Sequence, residues 1–278
     1  MAFMKDDEGR TYVGTKGNGI VLLSSEGEKI RSYTTDNGLV DNSVYVIEEI
    51  MEGRWALLGN DGRGISAIRL EDGSIYNIPP LQEFGNVYAI CEDKRYDCVW
   101  LGTNGYGLVM IKFAEKEGKL VAIEQKSWKN DSSNPLSLSN NTIFALQPAS
   151  KGRLWVGTRG GGLNLFDPGS CTFRKFTSSK DKLSITNNDI LSLHADDENT
   201  LWIGTSYGLS SLKEEDIDLG RFSSYTEVDG LANNTIHGIL DDMNGHLWLS
   251  TTKGLSQFNK ADAGITNFNN IDELQNNE

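Results

Sequence analysis

Val99-Trp100-Leu101-Gly102-Thr103, Leu154-Trp155-Val156-Gly157-Thr158 and Leu201-Trp202-Ile203-Gly204-Thr205 are three copies of one phrase: apolar, Trp, apolar, Gly, Thr. Each is followed within a few residues by Gly and a second apolar run. Eroded copies stand at Thr11-Tyr12-Val13-Gly14-Thr15, Ala56-Leu57-Leu58-Gly59-Asn60 and Leu247-Trp248-Leu249-Ser250-Thr251. The Gly position, held by Ser in the last copy, falls at 14, 59, 102, 157, 204 and 250, in steps of 45, 43, 55, 47 and 46. A period of that size, filled with short strand patterns, marks a repeat architecture.

The copy around Trp155 shows the unit. Thr142 to Gln147 is a β-type run, Lys151-Gly152 a turn, and Arg153 to Thr158 a second strand. Gly160-Gly161-Gly162 turns the chain into Leu163 to Phe166, and Asp167-Pro168-Gly169 turns it again into Thr172 to Phe176. Short strands punctuated by Gly, Pro and Asn read as consecutive hairpins. Four such strands make one meandering blade, which buries both faces only by stacking on neighbours. The expected fold is therefore all-β: a β-propeller of four-stranded antiparallel blades, about six of them, as one domain over 1–278. The blades are expected near 1–34, 43–78, 86–128, 142–177, 189–226 and 235–269. Residues 270–278 read as a linker toward a missing blade, in an incomplete seven-bladed ring. The Trp residues are expected to fill the space between blades, and the Gly after them to permit close backbone approach.

A second phrase recurs between blades. It stands as Asn37-Gly38-Leu39-Val40-Asp41-Asn42, Pro135-Leu136-Ser137-Leu138-Ser139-Asn140-Asn141, Lys182-Leu183-Ser184-Ile185-Thr186-Asn187-Asn188 and Asp229-Gly230-Leu231-Ala232-Asn233-Asn234. A last copy is Asp272-Glu273-Leu274-Gln275-Asn276-Asn277. Its Leu is expected to plug beneath the loop, while Asn side chains bond turn backbone.

Bulk properties exclude several classes. A net charge of −13 over 278 residues, with no basic cluster, repels nucleic acid and anionic membrane surfaces. No run of 18 apolar residues offers a membrane span. The opening Met1-Ala2-Phe3-Met4-Lys5-Asp6-Asp7 has no apolar signal-peptide core. That leaves a cytoplasmic protein or a piece of a larger exported one with its signal upstream, and the second is preferred. Cys91 and Cys98 flank a predicted hairpin turn, where a cross-strand disulfide and two small buried residues are both open; burial is the preferred reading. Cys171 has no evident partner.

Nothing in the chain reads as catalytic machinery. His194, His237 and His246 lack metal-ligand spacing, and neither a Gly-x-Ser-x-Gly elbow nor a phosphate-cradling loop occurs. The acidic turns at Asp6-Asp7-Glu8-Gly9, Asp196-Asp197-Glu198-Asn199 and Asp241-Asp242-Met243-Asn244-Gly245 read as hairpin formers rather than calcium loops. No catalytic residue, cofactor or metal is expected. What remains is binding. In a four-stranded blade the loops joining strand two to three, and those joining blade to blade, emerge on the same face. The candidate ligand-binding residues are therefore Lys16, Arg63, Asn104, Tyr106, Arg159, Tyr207 and Lys253, with Asn18 and Asp61 beside them. The linkers add Asp36, Asn42, Trp128, Asn141, Asn188 and Asn234. Aromatics with Arg, Lys and Asn suit sugar hydroxyls, carboxylates and sulfates.

Both phrases together resemble the two-component regulator propeller repeat, over nearly all of the chain. The resemblance implies the periplasmic, carbohydrate-responsive sensor region of a Bacteroidetes hybrid two-component histidine kinase. There, two seven-bladed propellers and a small β-domain precede a membrane helix, a kinase and a DNA-binding regulator. It implies as partners an oligosaccharide or other small ligand and other domains or copies of the same receptor, as a homodimer. Nucleic acid and direct membrane contact are not expected. With about six blades and none of those other parts, the chain reads as a fragment, a truncated frame or a stand-alone relative. Two alternatives stay open: a propeller lyase or glycosidase acting on a saccharide at the channel mouth, and a structural or dimerisation module.

Overall fold

The computed structural model describes residues 2–61 and 64–272. Six four-stranded sheets follow one another along the chain, each with its strands side by side in sequence order. The first holds β1 (Ala2–Lys5), β2 (Thr11–Gly14), β3 (Ile20–Leu23) and β4 (Lys29–Tyr33). The second holds β5 (Val44–Ile50), β6 (Trp55–Asn60), β7 (Ile65–Arg69) and β8 (Ile75–Ile78), and the third β9 (Val87–Asp93), β10 (Cys98–Thr103), β11 (Leu108–Lys116) and β12 (Lys119–Trp128). The fourth is β13 (Ile143–Pro148), β14 (Leu154–Thr158), β15 (Gly162–Asp167) and β16 (Thr172–Phe176). The fifth is β17 (Ile190–Ala195), β18 (Thr200–Thr205), β19 (Gly208–Lys213) and β20 (Ser223–Tyr225), and the sixth β21 (Ile236–Asp241), β22 (His246–Thr251), β23 (Gly254–Asn259) and β24 (Ile265–Phe268). These are the blades of a six-bladed β-propeller fold. The chain divides into two compact units, Met1–Asn130 with Asn141–Leu146, and Asp131–Asn140 with Gln147–Glu278.

In both units the core lies between neighbouring blades. Tyr12 of the first blade packs with Ala56, Leu58 and Ile68 of the second. Trp155 shares a cluster with Ile190, Ile203 and Leu212 of the fifth blade, and Trp202 with Leu247, Leu249 and Phe258 of the sixth. Trp100, Trp155 and Trp202 are only 2, 4 and 5 % exposed, and Trp155 and Trp202 fill the space between blades. Blade two puts the smaller Leu57 at that site and places Trp55 two residues earlier on the same face, against Tyr76 at 5.4 Å. Trp248 of the sixth blade departs from the pattern: it is only half-buried, against Phe268, and Leu240 on the paired position of β21 is exposed.

In four copies of the phrase, at Gly14, Gly59, Gly102 and Gly204, the Gly faces the first strand of the next blade. A Cβ at Gly102 would come within 2.7 Å of Ile143, one at Gly14 within 3.0 Å of Val44, and one at Gly59 within 2.6 Å of the Val87 carbonyl. In the sixth blade the residue types are exchanged across the pair: Ser250 stands opposite Gly238, whereas Gly204 stands opposite Ser192. The Thr closes the loop between strands two and three. Its hydroxyl donates to the carbonyl of Gly19, Gly107, Gly162, Gly208 or Gly254 at 2.6–2.9 Å.

The acidic turns fold themselves. Asp6, Asp196 and Asp242 each accept from the amides two and four residues on, at 2.7–3.1 Å. The second oxygen of Asp196 accepts from Trp202 Nε1 at 2.7 Å, and that of Asp93 from Trp100 Nε1 at 3.4 Å, tying turn to core. Cys91 and Cys98 are buried, unbonded thiols on the paired strands β9 and β10; Cys171 is free and exposed.

Candidate functional site

Each linker is fastened to the loop before it. The carbonyls of Asn42, Asn141, Asn188 and Asn234 accept from the amides of Gly19, Gly107, Gly162 and Gly208 at 2.6–2.9 Å. Their side-chain oxygens accept from Thr35, Asn130, Ser178 and Glu227 amides at 2.6–2.8 Å. Beneath them Leu39, Leu138, Ile185 and Leu231 are buried plugs. Buried Ser66, Asn164, Ser210 and Ser256, on the third strands, accept from the amide just after each plug at 3.0–3.2 Å. Phe84 fills the plug position of the linker between blades two and three. These linker Asn residues, offered above as ligand contacts, use their side-chain oxygens to hold the linkers in shape.

Of the expected ligand contacts, Lys16, Asn104 and Tyr106 lie in the first unit and Arg159, Tyr207 and Lys253 in the second; Arg63 lies outside the described residues. All six described residues sit on loops between the second and third strands of their blades. Lys16, Arg159 and Lys253 are exposed, and Tyr207 is 56 % exposed. Tyr106 is half-buried: its ring packs against the core cluster and carries the Lys129 ammonium at 4.9 Å from its centroid. Asn104 Oδ1 accepts from Thr142 Oγ1 at 3.2 Å. Among the described residues no hydrogen bond, ion pair or ring contact joins any two of these six.

The sequence reading missed a second set of side chains. In blades two, three, five and six the first strand carries a β-bulge at one repeat position. The residue left without a partner on the second strand is Tyr45, Tyr88, Leu191 or His237. A bulge turns a side chain out of the regular alternation. Phe144 holds the corresponding place on β13, in Ile143-Phe144-Ala145. Tyr45 and Tyr88 meet edge-on with centroids 5.1 Å apart, and Tyr88 and Phe144 lie 5.5 Å apart. Tyr45 Oη donates to Asp61 Oδ2 at 2.9 Å. Burial, and then that carboxylate, push the Tyr45 phenol up to about 12, so it stays a neutral donor. In the second unit His237 Nε2 lies 3.2 Å from Thr252 Oγ1, beside Lys253.

Cavities lie at the opposite end of the blades, beside the hairpins between strands one and two. One of about 290 Å³ is lined by Arg54, Glu92, Asp93, Lys94 and Phe113, and one of about 410 Å³ by Asp197, Glu198, His246 and Lys260. Burial, then the charges of Glu92 and Glu49, push the Glu48 carboxyl up to about 7. Glu92 lines the first cavity but its Oε1 is taken by the Met51 amide at 2.6 Å, and Glu48 is not among the lining residues. His194 Nε2 stands 3.4 Å from Asp241 Oδ2 without hydrogen-bond alignment, and Lys260 Nζ holds the same oxygen at 2.7 Å. Among the described residues no group of three His, Cys, Asp or Glu side chains is placed to hold a metal ion.

Comparison with known proteins agrees with the repeats. The family described as two component regulator propeller matches at residues 137–160, 184–207 and 230–253, each span running from linker phrase through Trp phrase. No curated protein matches in sequence. Among solved structures, the extracellular domain described as that of the hybrid two component system BT3049 from B. thetaiotaomicron is 25 % identical with a TM-score of 0.82. The match covers 100 % of this chain and 35 % of that one, so the chain spans about a third of its relative's length. The extracellular domain described as that of the one component system BT4673, from the same organism, is 20 % identical with a TM-score of 0.57, over 96 % of this chain and 41 % of that one. A streptogramin B lyase shares the fold at 14 % identity and a TM-score of 0.66, over 96 % of this chain and 82 % of its own. Among the described residues no helix is long and apolar enough to cross a membrane.

Proposed function

From a chain that carries two component regulator propeller repeats, we propose a non-catalytic sensor module of a larger periplasmic receptor. Its ligand is an oligosaccharide or another small molecule, and its partners are further domains or copies of the same receptor, as a homodimer. The observation that carries this reading is the likeness, at 25 % identity over 100 % of the chain, to an extracellular domain of a hybrid two component system. The build of the loops supports it. Their backbones are locked by the Thr and Asn hydrogen bonds, which leaves exposed Lys16, Arg159, Tyr207 and Lys253 free to vary between blades. A locked frame carrying variable side chains suits recognition, because little ordering entropy is lost on binding.

The test is thermal unfolding of the purified protein against a panel of oligosaccharides. At least one is expected to raise the midpoint, and Arg159→Ala with Tyr207→Ala to abolish that rise while the unliganded midpoint stays in place. A panel without any rise, or a rise that survives both substitutions, overturns the loop-binding reading.

A further inference from the structure

We propose that Tyr45, Tyr88 and Phe144, with Asp61 at their edge, form a binding site for an organic cation carrying an alkylammonium group. All four belong to the first compact unit. The three rings are contiguous, at 5.1 and 5.5 Å between centroids, and each is half-buried. Tyr45 and Tyr88 are the unpaired residues of two β-bulges, so the strand is deformed where each ring leaves it. None of the three rings belongs to the hydrophobic cluster that fills the space between blades two and three. Aromatic surface that packing does not consume is available to a ligand.

Charge decides what kind of ligand. The face of an aromatic ring is electron-rich and attracts a cation within about 6 Å of its centroid. Elsewhere in this chain such positions are filled from within: Arg31 lies over Tyr33, Lys129 over Tyr106 and Arg174 over Phe176, each at 4.9 Å. Among the described residues no Lys or Arg lies over Tyr45, Tyr88 or Phe144. Among the described residues Asp61 has no cationic partner either, and its carboxylate accepts from Tyr45 Oη at 2.9 Å. That bond draws negative character onto the phenol, and among the described residues no cation offsets the carboxylate charge. A net charge of −13 adds a long-range field of the same sign. An anionic ligand is repelled, a neutral one gains only contact area, and an alkylammonium group gains on every count.

The test uses the purified chain with tetramethylammonium chloride, against sodium chloride at matched ionic strength, followed by saturation-transfer NMR and calorimetry. Saturable binding of tetramethylammonium is expected. Tyr88→Leu and Asp61→Asn should each weaken it about tenfold. Far-UV circular dichroism of each variant reports folding; if Tyr88→Leu fails to fold, Asp61→Asn carries the test, since an amide still accepts from Tyr45. No saturable binding beyond the sodium control overturns the proposal, and so does binding that both substitutions leave intact. A rise in midpoint with an oligosaccharide that Tyr88→Leu leaves intact bears on the loop reading above and not on this one.

Discussion

At the scale of single residues, the repeated phrase divides the work of one seam between blades. Trp supplies area, Gly supplies proximity and Thr closes the loop. Gly102→Val should destabilise by about 1–3 kcal/mol, because its Cβ would come within 2.7 Å of Ile143 in a close-packed seam. A fall in the urea midpoint without a change in slope is the expected reading. Glu48 gives a pH prediction. Its folded pKa of about 7 lies above the ordinary 4.5, so the folded state binds its proton more tightly than the unfolded chain does. The stability this contributes is complete below about pH 4.5 and is lost as pH rises through 7. Glu48→Gln should therefore raise stability at pH 8 by roughly 1–3 kcal/mol and flatten the loss between pH 5 and 8. Denaturant curves at both pH values check it. The Trp and Gly roles were legible in the sequence because each recurs at a fixed place, whereas the loop-closing bond of the Thr was seen only in the structure. The raised acid was not legible either, since burial of Glu48 depends on what the next blade lays against it.

At the scale of elements, the linkers behaved as their composition says and the first strands did not. Asn and Leu in the linker phrase point to backbone bonds and a plug, and both are found. Asn234→Ala removes the 2.8 Å bond from the Glu227 amide and should cost about 1 kcal/mol, read as a lower thermal midpoint with ligand-free protein. The bulges escaped the sequence reading because period-two alternation assumes a regular strand, and one extra residue shifts every side chain beyond it. A signal was present nonetheless. Val44-Tyr45, Val87-Tyr88, Ile143-Phe144 and Ile236-His237 share one alignment column in which an apolar residue is followed by a changing, large one. Read by repeat position, that column separates the residue the seam needs from the one it leaves over.

At the scale of the whole molecule, charge is the property with most consequence. The net charge of −13 repels itself, and exposed ion pairs such as Arg54–Glu115 at 2.7 Å and Arg174–Asp218 at 3.2 Å do little to offset it. Raising sodium chloride from about 20 to 300 mM should therefore raise the thermal midpoint, by screening repulsion more than it weakens attraction. A midpoint that falls with salt would mean that local pairs outweigh the global field. The class of the blades, and about six of them, could be read from the 43- to 55-residue spacing alone, but not whether a seventh belongs to the ring. The roles of the exposed loop residues could not be read, because residues that differ between repeats carry no periodic signal.

The amides of Gly19, Gly107, Gly162 and Gly208 each donate across one seam, to Asn42, Asn141, Asn188 and Asn234. Each is therefore a clock for one joint. Its hydrogen exchanges with solvent only when that loop and that linker part company, whatever happens at the other joints. Four glycine signals in a single exchange spectrum would rank the joints by opening energy, and a ligand that tightens one of them would slow that signal alone.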